Sequence, residues 1–226
     1  MSVSAALYRI YRPVLLGFAG VLVLAEIVFV AVVSAIVPVK FSMWVLVIGS
    51  AVRYWLLVVA IILVATNLRQ FVTNGITRRE FALGAALFSA GTAALLAALM
   101  PAGHAVESAV LSLTHRQAAD YPSFTALVGL EEFGRILPGL LGYLVSGGLF
   151  AAVVYRYPPW IGVPLLIPAA VPLAVSGGLL GFDEYGIPSH PVAYPLALVV
   201  SVVVTAAGVA ALWWTIRDVP IRRLAG

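Results

Sequence analysis

The stretch Val14–Val37, VLLGFAGVLVLAEIVFVAVVSAIV, is apolar throughout except for Glu26 and a few small residues. A helix needs about 20 such residues, at about 1.5 Å each, to cross the hydrocarbon of a bilayer. Five further segments pass the same test: 43–67, 81–101, 136–155, 160–180 and 192–216. Composition agrees, because a chain of 226 residues that is 63% hydrophobic and 10% charged, with mean hydropathy +1.10, has more apolar surface than a soluble core can hide. The expected fold is therefore an all-α integral membrane protein with six transmembrane helices in one transmembrane domain. The first stretch exceeds the roughly 7–15 apolar residues of a signal-peptide core, so it is expected to stay as an anchor. There is no cysteine, which removes disulfides and thiolate chemistry from consideration. The net charge of +4 belongs to the flanks of the spans and does not point to nucleic acid.

Orientation follows from the basic residues. With the amino terminus cytoplasmic, Arg9, Arg12, Arg69, Arg78, Arg79, Arg156, Arg217, Arg222 and Arg223 fall inside, whereas Lys40, Arg116 and Arg135 fall outside. Both termini are thus expected in the cytoplasm. The outer segment 102–135 is the longest connection. Within it Val106, Ala109, Val110 and Leu113 recur at helical spacing, which predicts a short amphipathic helix on the outer surface. The basic and apolar run Ala5–Arg12 reads either as a helix along the inner interface or as an ordinary positive flank.

Between the second and third spans lies VTNGITRREF, residues 72–81. Asn74-Gly75 suits positive φ and can end one helix. Thr77-Arg78-Arg79-Glu80 has the spacing of a capping box and can start the next. The prediction is a short, rigid, basic knuckle with Arg78 and Arg79 exposed. The wording Asn-Gly-Ile-Thr-Arg-Arg-Glu-Phe, placed after span two of a six-span chain, resembles the membrane subunits of ABC-2 type ABC transporters. That resemblance implies a type V (ABC-2) exporter-like fold, with Asn74, Gly75, Ile76, Thr77, Arg78, Arg79 and Glu80 forming the coupling element that docks on an ATP-binding subunit. It also implies two copies of that subunit, a second membrane subunit, most simply a copy of this chain, and a polar or re-entrant element for which Gly186–Pro195 is the candidate. The long outer segment departs from the family pattern. No G-x-x-x-x-G-K-[ST] occurs, so ATP and magnesium would sit on the partner, and the chain itself is not expected to be an enzyme.

Two charges fall inside the spans. Glu26 lies twelve positions into the first and Arg53 ten into the second, which places both near the midplane and predicts an ion pair between adjacent helices. The pair would act as a structural clasp or take part in moving substrate or protons; a proton relay would want further carboxylates in the spans. Pro164, Pro168 and Pro172 recur every four residues, which predicts a bent fifth span and a possible gate. Val-Ser-Gly-Gly-Leu occurs at 145–149 and 175–179 and offers small surfaces for close helix approach. His104, Glu107, His115, His190, Asp183 and Glu184 could meet at a metal only from separate loops without a recognised spacing, so no metal site is expected. No catalytic motif appears.

The expected function is the permease subunit of an ATP-driven exporter in the cell membrane, moving an amphipathic or lipid-like cargo such as a drug, antibiotic, peptide or lipid. Two alternatives remain: an ion-coupled secondary transporter or channel, and a membrane scaffold or sensor that does not transport.

Overall fold

Each long apolar segment is a helix in the computed structural model, which describes residues 2–119, 121–181 and 192–217. Among the described residues six helices are long and apolar enough to cross a membrane: α1 (Val3–Ile36), α2 (Trp44–Thr73), α3 (Arg78–Leu113), α4 (Ala126–Arg156), α5 (Pro159–Leu180) and α6 (Tyr194–Arg217). A single parallel bridge, Val39 to Gln117, is the β pairing among the described residues.

Three boundaries differ from those predicted. α1 starts at Val3, where the Ser2 hydroxyl accepts from the Ala5 amide, so Ala5–Arg12 is the first part of the spanning helix and not a separate interfacial piece. α3 does not stop at Pro101. It continues to Leu113, so the predicted surface helix around Val106 is the end of span three. α4 likewise begins at Ala126, capped by Thr125, and residues 102–135 are mostly extensions of two spans joined by a short link. Proline inside an apolar helix removes one backbone bond and is tolerated where neighbouring groups cover the site. Pro101 has no amide to donate to the Ala97 carbonyl, and next to this point the indole of Trp44 lies against the helix and donates to the Leu99 carbonyl at 3.2 Å. Gly103 makes this approach possible, since a Cβ there would overlap the indole ring.

Packing places α4 at the centre. In its most apolar window 83% of residues are buried, against 6% for α1, and α4 touches α2, α3, α5 and α6. Small residues explain the close crossings. A Cβ on Gly142 would meet Ser176 and the Pro172 carbonyl, one on Gly147 the Leu57 carbonyl, and one on Gly148 the Leu212 side chain. The first Val-Ser-Gly-Gly-Leu copy therefore works as a contact surface for α2 and α6. α1 packs mainly on α3: Val3 sits over Gly84, and Tyr11 tilts against Phe88 with centroids 5.3 Å apart. The connection 74–77 and the ends of α4 and α6 share one end of the bundle, which carries the exposed Arg9, Arg12 and Arg79. At the other end the Val39 amide donates to the Arg116 carbonyl and the Ala118 amide to the Val39 carbonyl, tying the first connection to the third.

Two spans are irregular. α2 has π turns at Trp44–Ile48 and Leu63–Asn67. α5 breaks at Ala170 between Pro159–Ala169 and Val171–Leu180. The prolines do not share one environment: Pro164 and Pro168 are exposed, whereas Pro172 is buried. After the break, the Leu173 amide donates to Ser146 of α4 at 3.1 Å, a side-chain replacement for the helical bond the break disturbs.

Candidate functional site

The knuckle is built by two successive caps. Gly75 takes φ +87°, the left-handed conformation that glycine adopts without steric cost. With it, the Ile76 amide donates to the Phe71 carbonyl and the Gly75 amide to the Val72 carbonyl, both at 3.1 Å. That is the two-bond pattern of a Schellman C-cap. Two residues on, the Glu80 amide donates to Thr77 Oγ1 at 3.2 Å and the Thr77 amide to Glu80 Oε2 at 2.9 Å. The capping box is complete. Phe71 and Phe81 pack with ring centroids 5.7 Å apart, and both belong to an apolar cluster with Leu68 and Ile76. The turn is thus fixed from both sides and from below.

The two arginines separate in role. Arg79 is exposed, but Arg78 is half-buried and donates to the Arg217 carbonyl at 2.9 Å. Arg156, at the end of α4, donates to the carbonyls of Trp214 and Thr215. Guanidinium groups from two other helices therefore donate to carbonyls in the last described turn of α6. The expectation that Arg78 stands free beside Arg79 is corrected, and the knuckle is joined to the last helix.

Glu26 and Arg53 do not form the predicted ion pair. Glu26 Oε1 and Arg53 Nε are each buried without a hydrogen-bond partner. The reason is register. Phe18 of α1 stacks on Trp55 of α2, with centroids 4.3 Å apart, which sets these two residues at the same depth. Glu26 then lies eight residues beyond that level and Arg53 two, a mismatch of about 9 Å along the axes at about 1.5 Å per residue. The prediction failed because it measured depth from Val14, and α1 begins at Val3. Glu26 lines a groove between α1 and α3.

Among the polar contacts that the sequence does not reveal, three lie at the end of the bundle away from the knuckle. Glu107 of α3 is buried and accepts from Ser42 Oγ at 2.5 Å, from the Met43 amide at 2.9 Å and from the Trp44 amide at 3.3 Å. It serves as the N-terminal cap of α2, supplied by another helix, where negative charge complements the helix dipole. His104 Nδ1 lies 2.5 Å from Glu132 Oε1, joining α3 to α4 in a buried contact. Arg135 pairs with Glu131 one turn earlier at 2.7 Å and stands over the Tyr194 ring. The Glu131 to Arg135 spacing is visible in sequence; the other two contacts depend on how α3 sits against its neighbours. Burial, with the Glu107 carboxylate nearby, pushes the Tyr121 phenol above its usual range, so it remains neutral. His104 and Glu107, considered above as metal ligands, have these other roles, and among the described residues no group of three metal-binding side chains converges. Asp183, Glu184 and His190, the carboxy-terminal Arg222 and Arg223, and most of the Gly186–Pro195 element lie outside the described residues.

Compared with protein-family models, curated proteins and solved structures, the chain matches none. The functional reading accordingly stands on the chain's own residues.

Proposed function

We propose that this chain is the membrane-spanning subunit of an ATP-driven exporter of the ABC-2 type, working with two cytoplasmic ATP-binding subunits and a second membrane subunit, most simply a copy of itself. The observation that carries the reading is the knuckle at residues 74–80. There a Schellman cap, a complete capping box and an aromatic base together hold the turn in one conformation. A rigid, exposed element is suited to passing force from a partner into α2 and α3, and Arg78 extends that path to α6. The basic residues at this end support a cytoplasmic placement of the knuckle and both termini in the cell membrane. ATP and magnesium would be held by the partner, since the sequence has no P-loop. The apolar helix faces favour an amphipathic or lipid-like cargo over a small ion.

A second reading, an ion-coupled transporter, is favoured by the unpaired Glu26 and Arg53 within the spans. The extension of α3 and α4 also brings the buried Glu107 and Glu132 into the bundle, carboxylates that the predicted span limits excluded. Photo-crosslinking from position 79 separates the two readings. A benzophenone amino acid replacing Arg79 should capture a P-loop ATPase in native membranes. Capture of lipid alone, with ion-gradient-dependent transport, would favour the second reading.

A further inference from the structure

At the end away from the knuckle, a groove of about 610 Å³ runs between α1 and α3. Its walls are apolar, chiefly Val23, Ile27 and Val30 from α1 and Leu99, Val106 and Val110 from α3. Three charged groups border it. Glu107 is engaged by Ser42 and two backbone amides. Arg116 donates to Ser34 Oγ at 3.1 Å, about 12 Å along α1 from Glu26. Glu26 is different, because its side chain lines the groove and its Oε1 accepts no hydrogen bond from the described residues.

We propose that this groove binds a cationic amphipath, a molecule with an apolar body and one amine head, with the ammonium donating to Glu26. The apolar walls suit the body, and the unused carboxylate oxygen suits a charged donor, which forms shorter and stronger bonds than a neutral one. A phospholipid chain would bring no donor to Glu26, and an anionic head would be repelled by Glu26 and Glu107. That the bound molecule is the cargo rests on the exporter reading; the binding itself does not.

The test uses the full chain in phosphatidylcholine nanodiscs and three dansyl-labelled probes of equal length: undecylamine, the corresponding alcohol and the corresponding carboxylic acid. Energy transfer from tryptophan, with Trp44 in the groove wall, reports binding. The amine should bind saturably and about tenfold more tightly than the alcohol, the gain expected of one charge-assisted hydrogen bond. Glu26→Gln should remove that preference while leaving alcohol binding in place. Ala102→Phe, which fills the groove, should abolish binding of both. Equal binding of amine and alcohol by the unaltered chain, an amine preference that survives Glu26→Gln, tightest binding of the acid, or binding indifferent to Ala102→Phe would each overturn the proposal. None of these results depends on an ATPase partner, so loss of the groove site would leave the exporter reading standing, and the converse also holds.

Discussion

Ser42 Oγ, at the head of α2, donates to Glu107 Oε2 of α3 at 2.5 Å, and the same carboxylate accepts from the Met43 and Trp44 amides. One buried side chain thus closes the end of the bundle opposite the knuckle. Removing a partner from buried donors costs more than the bonds themselves contribute. Glu107→Ala should lower stability by about 3 kcal/mol, and Ser42→Ala by about 1 kcal/mol. Thermal unfolding in mild detergent checks both; equal, small losses would remove Glu107 from this role.

Close approach of α4 to α2 gives a second expectation. Valine at position 147 would press its Cβ against the Leu57 carbonyl, which cannot move without α2. Gly147→Val should therefore cost about 3 kcal/mol or more. Gly17→Ala, at a site with no neighbour within 4 Å, should be neutral or stabilise α1 by about 0.5–1 kcal/mol. A reversed order in unfolding experiments would contradict this packing.

The separation of Glu26 from Arg53 predicts additivity. In a double-mutant cycle of Glu26→Gln and Arg53→Gln, the interaction energy should stay within about 0.5 kcal/mol of zero. A larger favourable coupling would restore the ion pair.

The knuckle's caps can be weakened one at a time. Gly75→Ala forces a Cβ into positive φ and Thr77→Ala removes the helix cap; each should cost about 1 kcal/mol. If the rigidity of this turn serves a partner, both variants should also reduce ATPase docking while inserting normally. Docking unchanged by either would show that the turn's stiffness is not needed.

The knuckle was the most legible part of the sequence, because its signals are local: Asn74-Gly75 for the turn and Thr77 with Glu80 for the cap need no knowledge of the rest of the chain. Span count was legible for a similar reason, since about 20 apolar residues in a row have few other uses. Span ends were less so. Pro101 looks like a stop, yet α3 passes through it with the Trp44 indole at Leu99, a neighbour from another helix. The lateral arrangement was not legible at all. Whether Glu26 meets Arg53 or Glu107 faces Ser42 depends on which helix faces are adjacent and at what register, and hydropathy carries neither. The role of Arg78 was hidden in the same way, because its partner carbonyl at Arg217 lies 139 residues away.

Absence of native cysteine makes topology directly readable. A single cysteine at Thr73 should react with a membrane-impermeant thiol reagent in inside-out vesicles and remain unreactive in intact cells. Labelling from outside would invert the orientation and with it the placement of the knuckle.

The measurement that bears most directly on the exporter reading is recovery of the tagged chain from gently solubilised native membranes, with mass identification of what accompanies it and an assay of ATP hydrolysis. A P-loop subunit with ATPase activity should come with the unaltered chain and be lost from Arg79→Glu, whose side chain is exposed on the knuckle. A chain recovered alone and without ATPase activity, or a complex indifferent to Arg79→Glu, would contradict coupling through residues 74–80.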